Sequence, residues 1–133
     1  MDYRVRCLVD DAELTALHAL AFGATAPGVT VPWQQRLDQY AVTWVGAFDQ
    51  DGLQVGFAQA VWDGGRHAFL LDTIVHPEHQ RRGVGRTLVS HVVVAAREAG
   101  CEWLHVDFEP HLRSFYWDSC GFRPTDAGLV RLR

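Results

Sequence analysis

Three β-rich runs, 42–48, 53–62 and 67–75, follow one another across the short turns Asp49-Gln50-Asp51-Gly52 and Asp63-Gly64-Gly65. Turns this short join antiparallel neighbours, so this stretch is expected to fold as hairpins. Pro77 ends the third run. The period then changes. Residues 85–99 carry a helical stripe of Leu88, Val92, Ala95, Ala96 and Ala99, with Gly100 as a stop, and 103–108 reads as a strand again. A strand–helix–strand crossover thus follows the hairpins, which predicts a mixed α/β sheet. Around this frame, 3–9 reads as a first strand. Asp10 and Asp11 can cap a helix whose face is Leu14, Leu17, Leu20 and Ala21, stopped by Gly23. Residues 24–32 form a loop, 33–40 a short helix after Pro32, and 112–119 another short helix. Gly121-Phe122 opens a final β segment reaching Leu132.

The 133 residues fit one domain, 1–133, without linker or repeat. Such a chain buries roughly two thirds of its unfolded surface, enough for a core without staples. Cys7, Cys101 and Cys120 are an odd set without C-x-x-C spacing, which argues against a disulfide framework or zinc cluster. All twelve basic residues are arginine. The absence of lysine excludes Schiff-base chemistry, pyridoxal phosphate anchoring and a Walker A loop. A net charge of −4 gives no general footprint for a nucleic-acid backbone. The opening MDYRVRCLVDD lacks the apolar core of a signal peptide, and no apolar run approaches the roughly 20 residues of a membrane span. The expectation is a reduced, cytoplasmic protein with no membrane and no nucleic-acid partner.

Chemistry concentrates where the third run ends: Val75-His76-Pro77-Glu78-His79-Gln80-Arg81-Arg82-Gly83-Val84-Gly85-Arg86-Thr87. Here a strand gives way to a tight loop and a helix start. Gly83 and Gly85 bare the backbone N–H groups, and those orphan donors with the helix dipole make an anion site. Arg81, Arg82 and Arg86 add charge and Thr87 a hydroxyl, so a phosphate or diphosphate is the expected ligand. A dinucleotide fingerprint would need glycine where Leu88 stands.

The segment Gln80-Arg81-Arg82-Gly83-Val84-Gly85 resembles the Q/R-x-x-G-x-G/A signature of the GNAT superfamily, the acyl-CoA-dependent N-acetyltransferases. Val75-His76-Pro77-Glu78 is similar to that family's V-x-P-E/D lead-in. Glu109-Pro110-His111-Leu112-Arg113-Ser114-Phe115-Tyr116 is similar to its N-x-x-A-x-x-F/L-Y segment, and Gly121-Phe122 to its G-F. Glu109 and Leu112 depart from the usual asparagine and alanine. Four residues, Trp117 to Cys120, separate Tyr116 from Gly121, where the family commonly has three. Counting back from Gly121 would align Trp117 with the tyrosine; counting forward from Glu109 aligns Tyr116, which is preferred because an indole has no proton to give usefully.

The resemblance implies a mostly antiparallel central sheet with splayed fourth and fifth strands, here 67–75 and 103–108, and flanking helices. It implies acetyl-CoA as co-substrate lying in the splay, bonded by the backbone of Ile74 and Val75. The amides of 82–87, with Gln80, Arg81, Arg82, Gly83, Val84, Gly85, Arg86 and Thr87 around them, would hold the diphosphate. It implies acetyl transfer to the amine of a small molecule by direct attack in a ternary complex, with Tyr116 as acid. For the base, Asp72 stands out as a lone carboxylate in Phe69-Leu70-Leu71-Asp72-Thr73-Ile74-Val75, with Glu109 and His111 as rivals through a water. A homodimer is the state the family often shows. The alternative is a non-catalytic acyl-CoA-binding sensor or assembly subunit, suggested by the lengthened spacing after Tyr116 and by a base left open among Asp72, Glu109 and His111.

No metal is expected: His76 and His79, or His105 with Asp107, lack a matched third ligand. Trp33, Trp44, Trp62 and Trp103 can wall an acceptor pocket or fill a core. The acceptor itself is expected against residues 22–41 and 103–117.

Overall fold

The hairpins form because their turns satisfy their own backbone. In the computed structural model, which describes residues 1–24 and 26–133, Asp49 Oδ1 accepts the amides of Asp51 and Leu53 at 2.9 and 3.0 Å. Asp63 Oδ1 accepts the amide of Gly65 at 2.8 Å. Such Asx bonds free the chain to reverse without leaving donors unpaired. The strands so joined are β2 (Ala41–Phe48), β3 (Gln54–Trp62) and β4 (His67–Val75). With β1 (Asp2–Val5) and β5 (Trp103–His105) they make one five-stranded sheet in the order β1-β2-β3-β4-β5. All pairs are antiparallel except β4–β5, which is parallel and reached through helix α3 (Val84–Glu98). The mixed, mostly antiparallel sheet expected from the sequence is therefore observed.

The sheet is covered on both faces, which is why β2 is buried along its whole length. On one face α3 lays Val84, Leu88, Val89 and Val92 against Val45, Ala47, Ala58, Ala60, Ala68 and Leu70. Fully burying a leucine or valine contributes about 1.5–3 kcal/mol, so this stripe fixes the crossover. On the other face α1 (Asp11–Phe22) and α2 (Trp33–Tyr40) bring Leu14, Leu17, Trp33 and Leu37 onto Trp44, Phe57 and Ile74. Asp10 caps α1 by accepting the amide of Glu13 at 2.9 Å, and Gly23 ends it at φ +81°. Leu20, expected on the buried stripe, is exposed; His18, four residues after Leu14, faces inward in its place. In the loop expected over 24–32, Thr25 lies outside the described residues.

Three boundaries differ from the sequence reading. β1 stops at Val5, because the chain turns away at Arg6, whose φ is +53°. β5 ends at His105, short of Phe108, so Asp107 does not share a strand with His105. Residues 121–133 form no strand among the described residues: the run holds Gly121 at φ +79°, Pro124 and Gly128, and Leu129, Val130 and Leu132 are exposed. A strand needs an edge to pair with, and the three-residue β5 offers little.

Candidate active site

The site begins where β4 loses a neighbour. β5 pairs with β4 only over His67↔Trp103, Ala68↔Leu104 and Phe69↔His105, while β4 runs on to Val75. Residues 70–75 thus have β3 on one edge and an open edge on the other. At the end of the strand the His76 amide donates to Val55 O at 2.7 Å, on the β3 side. The carbonyl of the same peptide, Val75 O, is turned the opposite way and accepts Gln80 Nε2 at 3.2 Å. Gln80 therefore ties the glycine loop to the open edge. Ile74, also expected at this edge, packs its side chain among α1, α2 and Phe57.

The loop enters α3 through Gly83, in the left-handed region at φ +79° and with no side chain to cap the helix. The first intrahelical bond is Thr87 N to Gly83 O at 3.1 Å, so the amides of Val84, Gly85 and Arg86 precede the ladder and remain available to a ligand. Arg81, Arg82 and Arg86 stand exposed beside them. Thr87 differs from the expectation in one respect: its hydroxyl donates to Gly83 O at 2.9 Å, so its proton is already used. Gly85 is demanded by packing. A Cβ there would lie 3.1 Å from Phe115 Cζ and 3.4 Å from Val75 Cγ2. Gly85→Val is accordingly expected to destabilise the fold by about 1–3 kcal/mol through overpacking, read as a lowered urea midpoint at unchanged slope.

Asp72 owes its position to a bulge. Phe57 pairs with Ile74 and Gln59 with Leu71, so two steps on β3 oppose three on β4. The surplus residue is absorbed with Asp72 at φ +55°, a conformation aspartate tolerates better than most residues. A regular strand would have turned Asp72 to the same face as Ala68 and Leu70, into the α3 core. The bulge instead aims it at α1. There Gln59 Nε2 donates to Asp72 Oδ2 at 2.7 Å, and His18 Nε2 lies 3.3 Å from Oδ1. Both side chains of the His18–Asp72 pair are about three quarters buried. Neither His18 nor Gln59 was legible as a site residue. The available signal was a histidine four residues after Leu14 on a helix face otherwise apolar.

Tyr116 lies on the other side of β4. It is buried in the α3 core, stacked on Phe108 at 4.6 Å between ring centroids, with Phe115 and Phe122 meeting it edge-on. The backbone around it is a π-helix, Ser114–Ser119, closed by Cys120 N to Phe115 O at 2.9 Å. That wider turn absorbs the extra residue before Gly121, and Phe122 N still reaches Tyr116 O at 2.9 Å. Trp117, the other alignment, is turned outward under the Arg113 guanidinium. Burial raises the Tyr116 phenol above its ordinary value, and the nearby Thr73 hydroxyl, itself buried and without a well-formed hydrogen bond, opposes that rise. Asp72 and Thr73 are neighbours in the bulge yet face opposite ways, the carboxylate toward His18 on α1 and the hydroxyl toward the Tyr116 phenol in the α3 core.

Of the other candidates Trp33 packs against the His18 ring, 5.2 Å between centroids, and the rest lie outside this constellation. Glu109 and His111 are exposed around the 3-10 turn Pro110–Leu112. Trp33 and Trp44 are core, Trp62 is half-buried and Trp103 is exposed. Among the described residues no three metal-ligating side chains gather.

A model of the Acetyltransferase (GNAT) family matches residues 12–122. An uncharacterized N-acetyltransferase of Pyropia yezoensis is 32% identical over 68 residues, 51% of this chain and 39% of that relative. The chain thus matches well under half the length of this curated relative. Among solved structures, a Trypanosoma brucei acetyltransferase superposes with TM-score 0.81 at 21% identity, over 98% of this chain and 99% of that one. The AAC(6')-Iy structure with the bisubstrate analog CoA-S-monomethyl-acetylneamine superposes with TM-score 0.77 at 18% identity, over 100% and 99%. At these identities the two structures establish the fold.

Proposed function

Since the chain belongs to the GNAT acetyltransferase family, we propose that it transfers an acetyl group from acetyl-CoA to the amine of a small molecule by direct attack in a ternary complex. The observation that carries this reading is the open edge of β4, with Asp72 on one side of it and Tyr116 on the other, ending at the free amides of α3. The residues present fit the co-substrate. The Val84, Gly85 and Arg86 amides supply donors for a diphosphate, Arg81 and Arg82 supply counter-charge, and Thr87 can only accept. The backbone of Ile74 and Val75 offers the edge for an extended pantetheine arm.

The chemistry divides between the two faces. Asp72, held by Gln59 and paired with His18, takes the proton that an incoming ammonium must lose before its nitrogen can attack. A backbone N–H of the open edge polarises the thioester carbonyl, a contribution of about 3 kcal/mol. As the N–C bond forms and the C–S bond breaks, Tyr116 gives its proton to the departing sulfur, and the second proton shed by the nitrogen as it becomes an amide passes to water, from which the phenolate is reprotonated. Burial keeps that phenol protonated at neutral pH, as an acid must be. Holding both reactants on one strand removes much of the entropic barrier.

The non-catalytic acyl-CoA sensor or assembly subunit drew part of its motive from the lengthened spacing after Tyr116. The π-helix accommodates that residue while keeping Tyr116 inward, which favours the enzyme. Calorimetry with CoA, followed by incubation with acetyl-CoA and a panel of amines while free thiol is measured, tests the reading. Micromolar CoA binding with amine-dependent thiol release is expected; CoA binding without release from any amine would favour the sensor.

A further inference from the structure

The outer face of β4 carries an exposed apolar strip beside the bulge carboxylate. Ala68 and Leu70 are buried under α3, whereas Phe69 and Leu71, on the opposite face, are 48% and 41% exposed. Gln59 is the cross-strand partner of Leu71, and its amide holds Asp72, so the carboxylate belongs to the same face. One side of the Phe69 ring is already occupied by His105, stacked at 4.6 Å and 16°, and His105 is braced by His67 at 2.8 Å. That leaves a rigid aromatic platform with its other side open. On the far side of Asp72, His18 carries Phe22 against it at 4.8 Å, and Phe22 is 58% exposed. A carboxylate flanked by exposed rings and an exposed leucine is complementary to a cation on an apolar body, and mismatched to a polyhydroxylated one.

We propose that this strip is the acceptor subsite, and that it selects a primary ammonium joined by a short chain to an aromatic ring, the ammonium at Asp72 and the ring over Phe69 and Leu71. The proposal rests on the acetyltransferase reading for its place in the reaction. Its chemistry is set by the strand itself: two steps of about 3.3 Å and a third shortened by the bulge put Phe69 and Asp72 roughly 9 Å apart, the span of an arylethylamine with its contacts. Phe69 and Leu71 thereby become specificity-determining residues.

Binding separates this proposal from catalysis. Titration of the full chain, saturated with CoA, by phenethylamine, glucosamine and putrescine is expected to rank phenethylamine tightest by about tenfold or more. Phe69→Ser and Leu71→Ser should each shrink the phenethylamine-to-putrescine affinity ratio several-fold, a ratio that the fraction of folded protein does not alter. Phenethylamine bound selectively but never acetylated would leave the subsite standing and remove the transfer reading. Glucosamine or putrescine binding as tightly as phenethylamine, no amine binding at all, or an affinity ratio unmoved in both variants would overturn the subsite, whatever the transfer assay shows.

Discussion

Tyr116→Phe is expected to lower kcat about a hundredfold or more while leaving affinity for CoA unchanged. The substitution removes one oxygen and nothing else from the packing. The stack on Phe108 and the edge contacts of Phe115 and Phe122 are all made by the ring. Among the described residues the Thr73 hydroxyl is the side chain placed to hydrogen-bond the phenol, so stability should change by no more than about 1 kcal/mol. Steady-state kinetics beside a calorimetric CoA titration separates the two effects. The pH profile adds a check whose sign is fixed. In the proposed mechanism the protonated phenol is the working form, and burial raises its ionisation above the usual 10.0. Activity carried by Tyr116 should therefore persist to pH 10 and fall only beyond it, and that alkaline limb should vanish in the variant. Unchanged kcat would remove Tyr116 from the mechanism.

Asp72→Asn should cost about a hundredfold or more in kcat/KM with little loss of stability. Asparagine tolerates φ +55° as aspartate does, and its carbonyl can still accept the Gln59 amide. What disappears is the carboxylate oxygen that faces His18, the proposed proton acceptor. Asp72→Ala separates conformation from chemistry. It forces a less tolerant residue into the left-handed region and leaves the Gln59 amide, 91% buried, without its acceptor; thermal unfolding should show it about 2 kcal/mol less stable. Equal turnover in the wild type and the asparagine variant would assign the base elsewhere, with Glu109 and His111 next.

The parts of this molecule legible in its sequence were those governed by local chemistry. The Asp49 and Asp63 turns, the Asp10 cap, the Gly23 and Gly100 stops and the glycine loop at 83–85 each depend on a few adjacent residues. They were readable for that reason. What was not readable depends on distant partners. The bulge at Asp72 is a mismatch between β3 and β4 and leaves no mark on β4 alone. His18 and Gln59 join the site only because α1 and β3 converge on that bulge. The π-helix shows in the sequence as a bare spacing anomaly, whose resolution required knowing that Phe108 and Phe115 grip the Tyr116 ring. The strand expected after Gly121 failed for the converse reason: residues of suitable type found no edge to join.

The bulge also gives β4 two parities. Before it, odd-numbered side chains such as Phe69 and Leu71 look toward the α1 side; after it, even-numbered ones, Asp72 and Ile74, do. The same residues in a regular, unbulged strand would have one parity throughout. Keeping the apolar half in place would drive the carboxylate into hydrocarbon, and keeping the carboxylate in place would turn the apolar half inside out. The irregularity is thus what lets one continuous strand present hydrocarbon on one stretch and a carboxylate on the next to the same side.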